Sequence, residues 1–214
     1  MTQSKHNITE LQRSILKRIL VVFFERGVKT SMDEIAKILS ISKRTIYEQF
    51  KNKDEIVLRT IVFMMEESNH EVLNYIREQC NPIEELFPIV HENVRQAYGH
   101  RFKFLADVKR LYPDIYKQYN VMYKERNINH LRDIIQRGKQ QNLFRKEINE
   151  DVILTFMFKE SVALSEPKYK MYEQYSMKDI FFNIAVPFMR GLMTQEGIEI
   201  FNEVIEKYKQ IHRI

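Results

Sequence analysis

The segment from Thr30 to Lys53 constrains the fold of this 214-residue chain more than any other, because it predicts two short amphipathic helices joined by a tight turn. Ser31 stands three residues before Glu34, which is the spacing of a capping box at the start of a helix. Ile35, Ile38 and Leu39 follow at helical spacing and form its predicted inner face. The first predicted helix therefore starts at Ser31 and turns an apolar face inward.

The second predicted helix starts at Ser42, whose hydroxyl suits the amides of a first helical turn. Ile46 and Phe50 lie one turn apart, and we expect them to pack against the first helix with Ile41 filling the turn. The remaining positions carry polar groups, most of which donate to base edges and phosphate oxygens, and these are Lys43, Arg44, Thr45, Tyr47, Glu48 and Gln49. Such a helix fits the major groove of DNA.

At these residues the sequence resembles the N-terminal DNA-binding domain of the tetracycline-repressor (TetR) family of bacterial transcription regulators. The match runs in order over about fifty residues, and it consists of Gly27, Thr30, Ile35, Ala36, Ile41, Ser42, Lys43, Thr45, Ile46, Tyr47, Phe50, Lys53, Asp54 and Ile56. Ser40 stands where the family usually has Gly in the interhelical turn. The alternative is an amphipathic helix pair inside some other helical protein.

Apolar residues recur at helical spacing nearly everywhere, and five Gly and five Pro favour long uninterrupted elements. The sequence therefore predicts an all-α protein. Its N-terminal three-helix helix-turn-helix domain is predicted at residues 1–53, and an all-helical ligand-binding and dimerisation domain at residues 54–214. Within the latter we expect a long helix over 54–79, a helix restarting at Asn81-Pro82, a shorter one over 102–111 and another from Pro113 to about residue 141.

The net charge of the chain lies in its first quarter. Residues 1–60 contain 12 Lys and Arg against 7 Asp and Glu, whereas the other 154 residues contain 22 of each. This asymmetry is typical of a module that faces a polyanion, followed by a neutral regulatory module. A basic tail arising by chance is the alternative, but it does not explain the helix pair.

The outward residues have distinct predicted roles on DNA. Arg44 can fork onto the O6 and N7 of a guanine, Lys43 can reach the same acceptors, and Tyr47 is expected at the backbone or a thymine methyl. The resemblance implies that Thr45, Gln49 and Lys53 contact phosphates. Ser31 and Ser42, with the positive ends of their helices, are further phosphate candidates. These backbone contacts position the helix without selecting a sequence.

Two segments in the last third predict a dimer interface. The run 152–158 is apolar nearly all round, and residues 180–192 form a wide apolar face. Such helices must be covered on every side. We therefore expect a homodimer through helices around Val152–Leu164 and Ile180–Leu192, as the resemblance also implies. A purely intramolecular core is the alternative. A two-fold dimer presents two recognition helices to adjacent major grooves, which predicts a near-palindromic operator.

Four tyrosines at spacings of four, three and four form a stripe on one helical face. An aromatic stripe is often plain core, but several ring hydroxyls together also suit a mostly apolar pocket with a few polar handles. The predicted ligand-binding residues are Met64, Phe87, Phe102, Tyr112, Tyr116, Tyr119, Tyr123 and Phe156. A small, largely apolar molecule bound there would release the operator, which makes a ligand-responsive repressor the predicted function.

The sequence contains no motif that is typical of an enzyme active site. The six histidines have no metal-ligand spacing, and neither a Gly-rich phosphate loop nor a Ser-containing elbow occurs. We therefore predict no catalytic residue, cofactor or metal. The alternatives are an all-helical enzyme and a constitutive DNA-architecture protein, each carrying a helix-turn-helix. The polar N-terminus, the lack of a membrane span and a lone Cys80 predict a cytoplasmic protein.

Overall fold

The computed structural model describes residues 8–75, 80–97, 100–164 and 174–212, and within these ranges it contains helices and no β-strand. The α-helices are α1 Glu10–Arg26, α2 Met32–Leu39, α3 Lys43–Gln49, α4 Lys53–Tyr75, α5 Pro82–Ala97, α6 His100–Leu111, α7 Pro113–Tyr123, α8 Asn129–Gln140, α9 Glu150–Leu164, α10 Met177–Ile180, α11 Val186–Leu192 and α12 Gln195–His212. The all-α prediction is confirmed.

The chain divides into two compact units. The first unit comprises Met1–His70 and Gly99–Tyr123, and the second comprises Glu71–Tyr98 and Lys124–Ile214. The first unit is therefore discontinuous in sequence, because α6 and α7 belong to it, although α5, which precedes them in the chain, belongs to the second unit. The functional boundary after residue 53 stays a prediction.

In the first unit α1 packs against both α2 and α6. The inner face of α1 repeats at helical spacing through Ile15, Ile19 and Phe23, all of which are buried. The Phe23 ring stacks on Phe104 of α6 with centroids 5.7 Å apart. Gly27 ends α1 with a φ of 84°, a left-handed conformation that glycine adopts without steric cost.

The second unit has a core of its own, in which α5 packs against α8 and α12. The Phe87 ring meets Phe181 edge-on with centroids 5.6 Å apart, and it meets Tyr208 at 5.2 Å. Around this core, ion pairs join elements that are distant in sequence. For example, Arg137 Nη2 lies 2.5 Å from a carboxylate oxygen of Glu85.

Most predicted helices are present, with one interruption. The long fourth helix is described from Lys53 to Tyr75. The helix predicted from Pro113 to about residue 141 reaches Gln140, but the five residues Lys124–Ile128 form a π-helical turn. A π turn adds a residue to the helical repeat and therefore rotates the faces that follow it. Phe181–Ala185 form a second such turn.

Candidate nucleic-acid interface

The start of α2 has the predicted capping box. The Glu34 amide donates to Ser31 Oγ at 3.3 Å, and the Ser31 amide donates to the Glu34 carboxylate at 2.8 Å. The amide and, at 2.7 Å, the hydroxyl of Ser31 both donate to the Glu34 carboxylate, and these two hydrogen bonds lower the pKa of that carboxyl. The cap fixes where α2 starts and thereby the register of its buried Ile35 and Leu39.

Ser40 forms the turn between α2 and α3 in a left-handed conformation, with φ 55° and ψ 39°. Its amide donates to the Lys37 carbonyl at 3.2 Å, and the Ile41 amide donates to the Ala36 carbonyl at 3.1 Å. From α1, the Arg18 guanidinium donates to the carbonyl of Leu39. These bonds satisfy the carboxyl end of α2.

The third helix separates an apolar inner side from a polar outer one. Ser42 caps it, accepting a hydrogen bond from the Thr45 amide at 2.9 Å. Ile46 within the helix and Phe50 at its end are almost completely buried. Lys43, Arg44 and Tyr47 are exposed. The predicted division is therefore correct for these residues of α3. In α2 it is wrong at Ile38, which was predicted to face inward and is 37% exposed, because it lies at the edge of the buried face formed by Ile35 and Leu39.

Both candidate base-contacting cations carry a carboxylate partner. Lys43 Nζ lies 2.9 Å from Asp33 of α2, and Arg44 Nε lies 2.9 Å from Glu48 one turn further along α3. The hydrogen bond to Asp33 raises the pKa of Lys43. Sequence analysis missed both pairs. The i,i+4 spacing of Arg44 and Glu48 is a local signal that indicates such a pair, whereas nothing local links Lys43 to Asp33.

The predicted phosphate contacts lie around the ends of α2 and α3. Lys53 Nζ donates to the Thr30 carbonyl at 2.7 Å, and partial burial lowers its pKa. Thr45 Oγ1 is 2.7 Å from Ser42 Oγ. Gln49 accepts a hydrogen bond at its backbone carbonyl from the Gln12 side chain at 3.0 Å. The eight residues predicted to contact DNA thus lie on α3, at the N-caps of α2 and α3, and at the first residue of α4.

The predicted ligand-binding residues are not gathered in this way. Tyr119 is buried in the first unit, and its ring lies 5.9 Å from Tyr116 and 5.8 Å from Tyr123. Burial raises the pKa of the Tyr119 hydroxyl. Met64 and Tyr112 belong to the same apolar cluster.

The other predicted ligand-binding residues lie elsewhere. Phe87 is part of the core of the second unit. The side chain of Phe102 falls outside the described residues. Phe156 is 53% exposed on α9. The assignment of this set to one cavity stays a prediction.

The predicted dimerisation helices carry exposed apolar side chains. Val152 and Phe156 on α9 are 65% and 53% exposed, and Ile184 is 47% exposed. The Phe156 ring stacks on Phe188 with centroids 6.3 Å apart, which brings the two predicted segments side by side. Side chains beyond Met157 in α9 lie outside the described residues.

The described residues lack two other kinds of feature. They hold no cluster of three or more His, Cys, Asp or Glu side chains arranged to bind a metal ion. In the same ranges, no helix is both long enough and apolar enough to cross a membrane.

Known proteins resemble this chain in sequence and in fold. Residues 15–60 match the family described as bacterial regulatory proteins, tetR family. The uncharacterized HTH-type transcriptional regulator YvaF of Bacillus subtilis (strain 168) is 23% identical over 185 residues, which cover 84% of this chain and 96% of that protein.

Solved structures show the same fold. A putative transcriptional regulator from Saccharomonospora viridis, in complex with choline, has a TM-score of 0.71 at 19% identity and covers 87% of this chain and 99% of its own. AibR, in complex with isovaleryl coenzyme A and operator DNA, has a TM-score of 0.55 at 19% identity and covers 77% and 86% respectively. The capped, cationic α3 lies within the segment 15–60 that matches the tetR family of bacterial regulatory proteins.

Proposed function

We propose that this protein is a ligand-responsive transcriptional repressor, acting in the cytoplasm, that binds a near-palindromic operator as a homodimer. The observation that carries the proposal is that α3 has one buried apolar side and one exposed polar side. Its buried Ile46 and the adjoining Phe50 fix the helix to the domain, while its exposed side presents Lys43, Arg44 and Tyr47. A short helix that is packed against its domain on the inner side and carries cations on the outer side can enter a major groove without unfolding.

Arg44 is the proposed base-reading residue because its guanidinium can donate two parallel hydrogen bonds to guanine. Lys53 is proposed to act on the backbone instead. Its ammonium is held at the Thr30 carbonyl, at the entrance to α2, and a point charge there attracts phosphate regardless of sequence. The two residues therefore separate sequence recognition from general affinity.

A gel-shift series over salt concentration tests this separation. We expect Arg44→Ala to cost about 1–3 kcal/mol of binding and to relax one operator position. We expect Lys53→Ala to weaken all duplexes alike and to lower the slope of log affinity against log salt by about 1. Lys117→Ala removes an exposed charge from α7 and serves as the control. If neither variant loses affinity in a protein that remains folded, the proposal is wrong.

Homodimerisation is proposed through α9 and the segment from Ile180 to Leu192. The exposed Val152, Phe156 and Ile184 support it, since apolar side chains grouped on one surface lose contact with water when a second copy covers them. A two-fold dimer would hold two copies of α3 for successive major grooves about 34–36 Å apart. This geometry requires an operator with two inverted half-sites.

The effector is proposed to be a small, largely apolar molecule that binds beside the tyrosine stripe of α7. Neighbouring tyrosine rings supply apolar area with hydroxyls at their edges, which supports a ligand with few polar groups. The choline and isovaleryl coenzyme A complexes of proteins with this fold support a bound effector in general. A compound that prefers the DNA-free state must weaken operator binding by the same factor by which DNA weakens its own binding.

The effector proposal is tested by measuring operator release in gel shifts with choline, acyl-coenzyme A thioesters and aromatic acids. A compound that releases the operator should lose effect in Tyr116→Ala, while the affinity of that variant for DNA remains. Release that is unchanged in the variant would place the effector elsewhere. Chemical turnover of the compound would instead favour an enzyme.

A further inference from the structure

The exposed side of α3 carries an ion pair whose geometry bears on sequence recognition. Arg44 Nε donates to Glu48 Oε1 at 2.9 Å, and the two side chains are 88% and 55% exposed. At this exposure an i,i+4 pair contributes little to folding stability. The main consequence of the pair therefore concerns what the outer side of α3 can bind.

The pair leaves a defined set of donors for DNA. Glu48 engages the Nε–H of Arg44, so the two terminal amino groups remain as the donating edge of the guanidinium. That edge can give the parallel bonds that guanine accepts at O6 and N7. A carboxylate on Nε also restricts the rotation of a long side chain, which reduces the entropy lost when Arg44 docks.

Glu48 adds a chemical preference of its own. A carboxylate has two oxygens and only accepts hydrogen bonds, so the atom not bonded to Arg44 can accept from the N4 amino group of cytosine. The same negative charge repels phosphate. It therefore disfavours binding poses in which α3 lies against the DNA backbone. A glutamate here is therefore unfavourable for general affinity and favourable for discrimination.

We propose that Glu48 is a specificity-determining residue, which positions Arg44 on a guanine and itself accepts a hydrogen bond from a cytosine next to that guanine. This inference rests on the proposed function, because it assumes that α3 lies in the major groove. The other acidic partner, Asp33, belongs to α2 and bonds a lysine, whose flexible ammonium lacks a planar fork to orient.

Selection from a library of random double-stranded DNA, followed by sequencing, tests the proposal with the full-length protein. The variants are Arg44→Ala, Glu48→Ala, Glu48→Gln and the double variant Arg44→Ala/Glu48→Ala. Glu25→Gln removes one negative charge from an exposed position of α1 and serves as the charge-matched control. Circular dichroism checks that each variant is folded.

Arg44→Ala should abolish a guanine preference that amounts to about 5- to 150-fold. Glu48→Ala should lower the same preference by about 3- to 10-fold and remove the preference for the neighbouring cytosine. In Glu48→Gln the guanine preference should be retained, because the amide oxygen still accepts from Nε, while the neighbouring preference changes towards adenine. The double variant should match Arg44→Ala at the guanine, and Glu25→Gln should leave the base profile as in the wild type.

The possible failures are distinguishable. A wild-type protein that enriches no sequence would overturn the proposed function and this inference with it. A wild-type protein that enriches a half-site with the same base profile as Glu48→Ala would overturn the inference alone. A change in Glu25→Gln equal to that in Glu48→Ala would reduce the effect to net charge, and it would also overturn the assignment.

Discussion

The helices α2 and α3 of the first unit differ from α9 and the segment after Ile180 of the second unit in how far their apolar side chains are exposed. Around α2 and α3, the large apolar residues Ile35, Ile46 and Phe50 are almost fully buried. On α9 and the segment that follows Ile180, Val152, Phe156 and Ile184 remain largely exposed. The first region buries these apolar residues within its own unit, whereas the second leaves apolar side chains exposed, which supports the proposed homodimer.

The two regions are alike in combining local and distant bonds. The caps of α1, α2 and α3 join residues three positions apart. The Gln12 side chain also reaches the Gln49 carbonyl across 37 positions, and in the second unit Arg137 bonds Glu85 across 52. Local bonds fix where a helix starts, while distant bonds fix which helices meet, so the contrast between the regions lies in their exposed apolar side chains.

Replacing Phe50 gives the largest expected effect. Phe50→Ala would leave a cavity behind α3 and should lower the free energy of unfolding by about 3–5 kcal/mol. Urea unfolding followed by circular dichroism measures this loss. Leu11→Ala, at an exposed position of α1, is the matched control and should change the free energy of unfolding by less than about 0.5 kcal/mol. Equal losses in the two variants would show that burial does not explain the cost at Phe50.

Phe156→Ser tests the exposed surface of the second unit. Removing an aromatic side chain from a dimer interface costs about 2 kcal/mol at a central position, which corresponds to a roughly 30-fold weaker dimer. Sedimentation over a range of protein concentrations measures this change. Val121→Ser, on an equally exposed apolar residue of α7, should leave the dimer intact. A Phe156→Ser protein that dimerises as tightly as the wild type would show that this surface has another role.

Acid should weaken the second unit through Glu150. The hydrogen bond from Lys139 lowers the pKa of Glu150 from 4.5 to about 2 in the folded protein. Since the folded pKa lies below the unfolded one, the stabilisation is complete above pH 4.5 and is lost as the pH falls towards 2. Allowing for solvent screening, we expect about 1–2 kcal/mol.

The acid effect is measured as the difference between wild type and Glu150→Gln in urea unfolding at pH 5 and at pH 2.5. The difference should shrink at the lower pH, because pH 2.5 lies well below the unfolded pKa of Glu150 and close to its folded pKa of about 2, where most of the stabilisation is lost. A difference that is independent of pH would mean that Glu150 stabilises the fold by packing alone.

The smallest effect is expected at Ser40. A serine with a φ of 55° is strained, so Ser40→Gly should raise the free energy of unfolding by about 0.5–1 kcal/mol. Ser40→Ala keeps the Cβ atom and should give no such gain. Thermal unfolding compares the two variants. A gain in both would point to the serine hydroxyl rather than to the backbone.

The sequence predicted the local features of the fold well. The capping box of Ser31, the cap at Ser42 and the burial of Ile46 depend on neighbours within a few residues, and all are present. The π turn at Lys124–Ile128 was missed, because its side chains suit an ordinary helix and nothing in their spacing signals an extra residue per turn.

Tertiary placement was the limit of the prediction. Periodicity indicates which tyrosines share a face of α7, but it does not indicate which helix that face meets. Phe87 was therefore grouped with Tyr119, although the structure places the two residues in separate cores. The pair of Lys43 and Asp33 was missed for the same reason, since it joins two helices rather than two turns of one helix.

The discontinuous first unit has a consequence for synthesis on the ribosome. Phe23 stacks on Phe104, so the core behind the N-terminal helices stays open until α6 has left the exit tunnel. By that time α5 has already emerged. Translation therefore delivers part of the second unit before the first can finish packing, although domains generally fold in their order along the chain. A nascent chain halted ahead of α6 would display the α1 surface that Phe104 later covers.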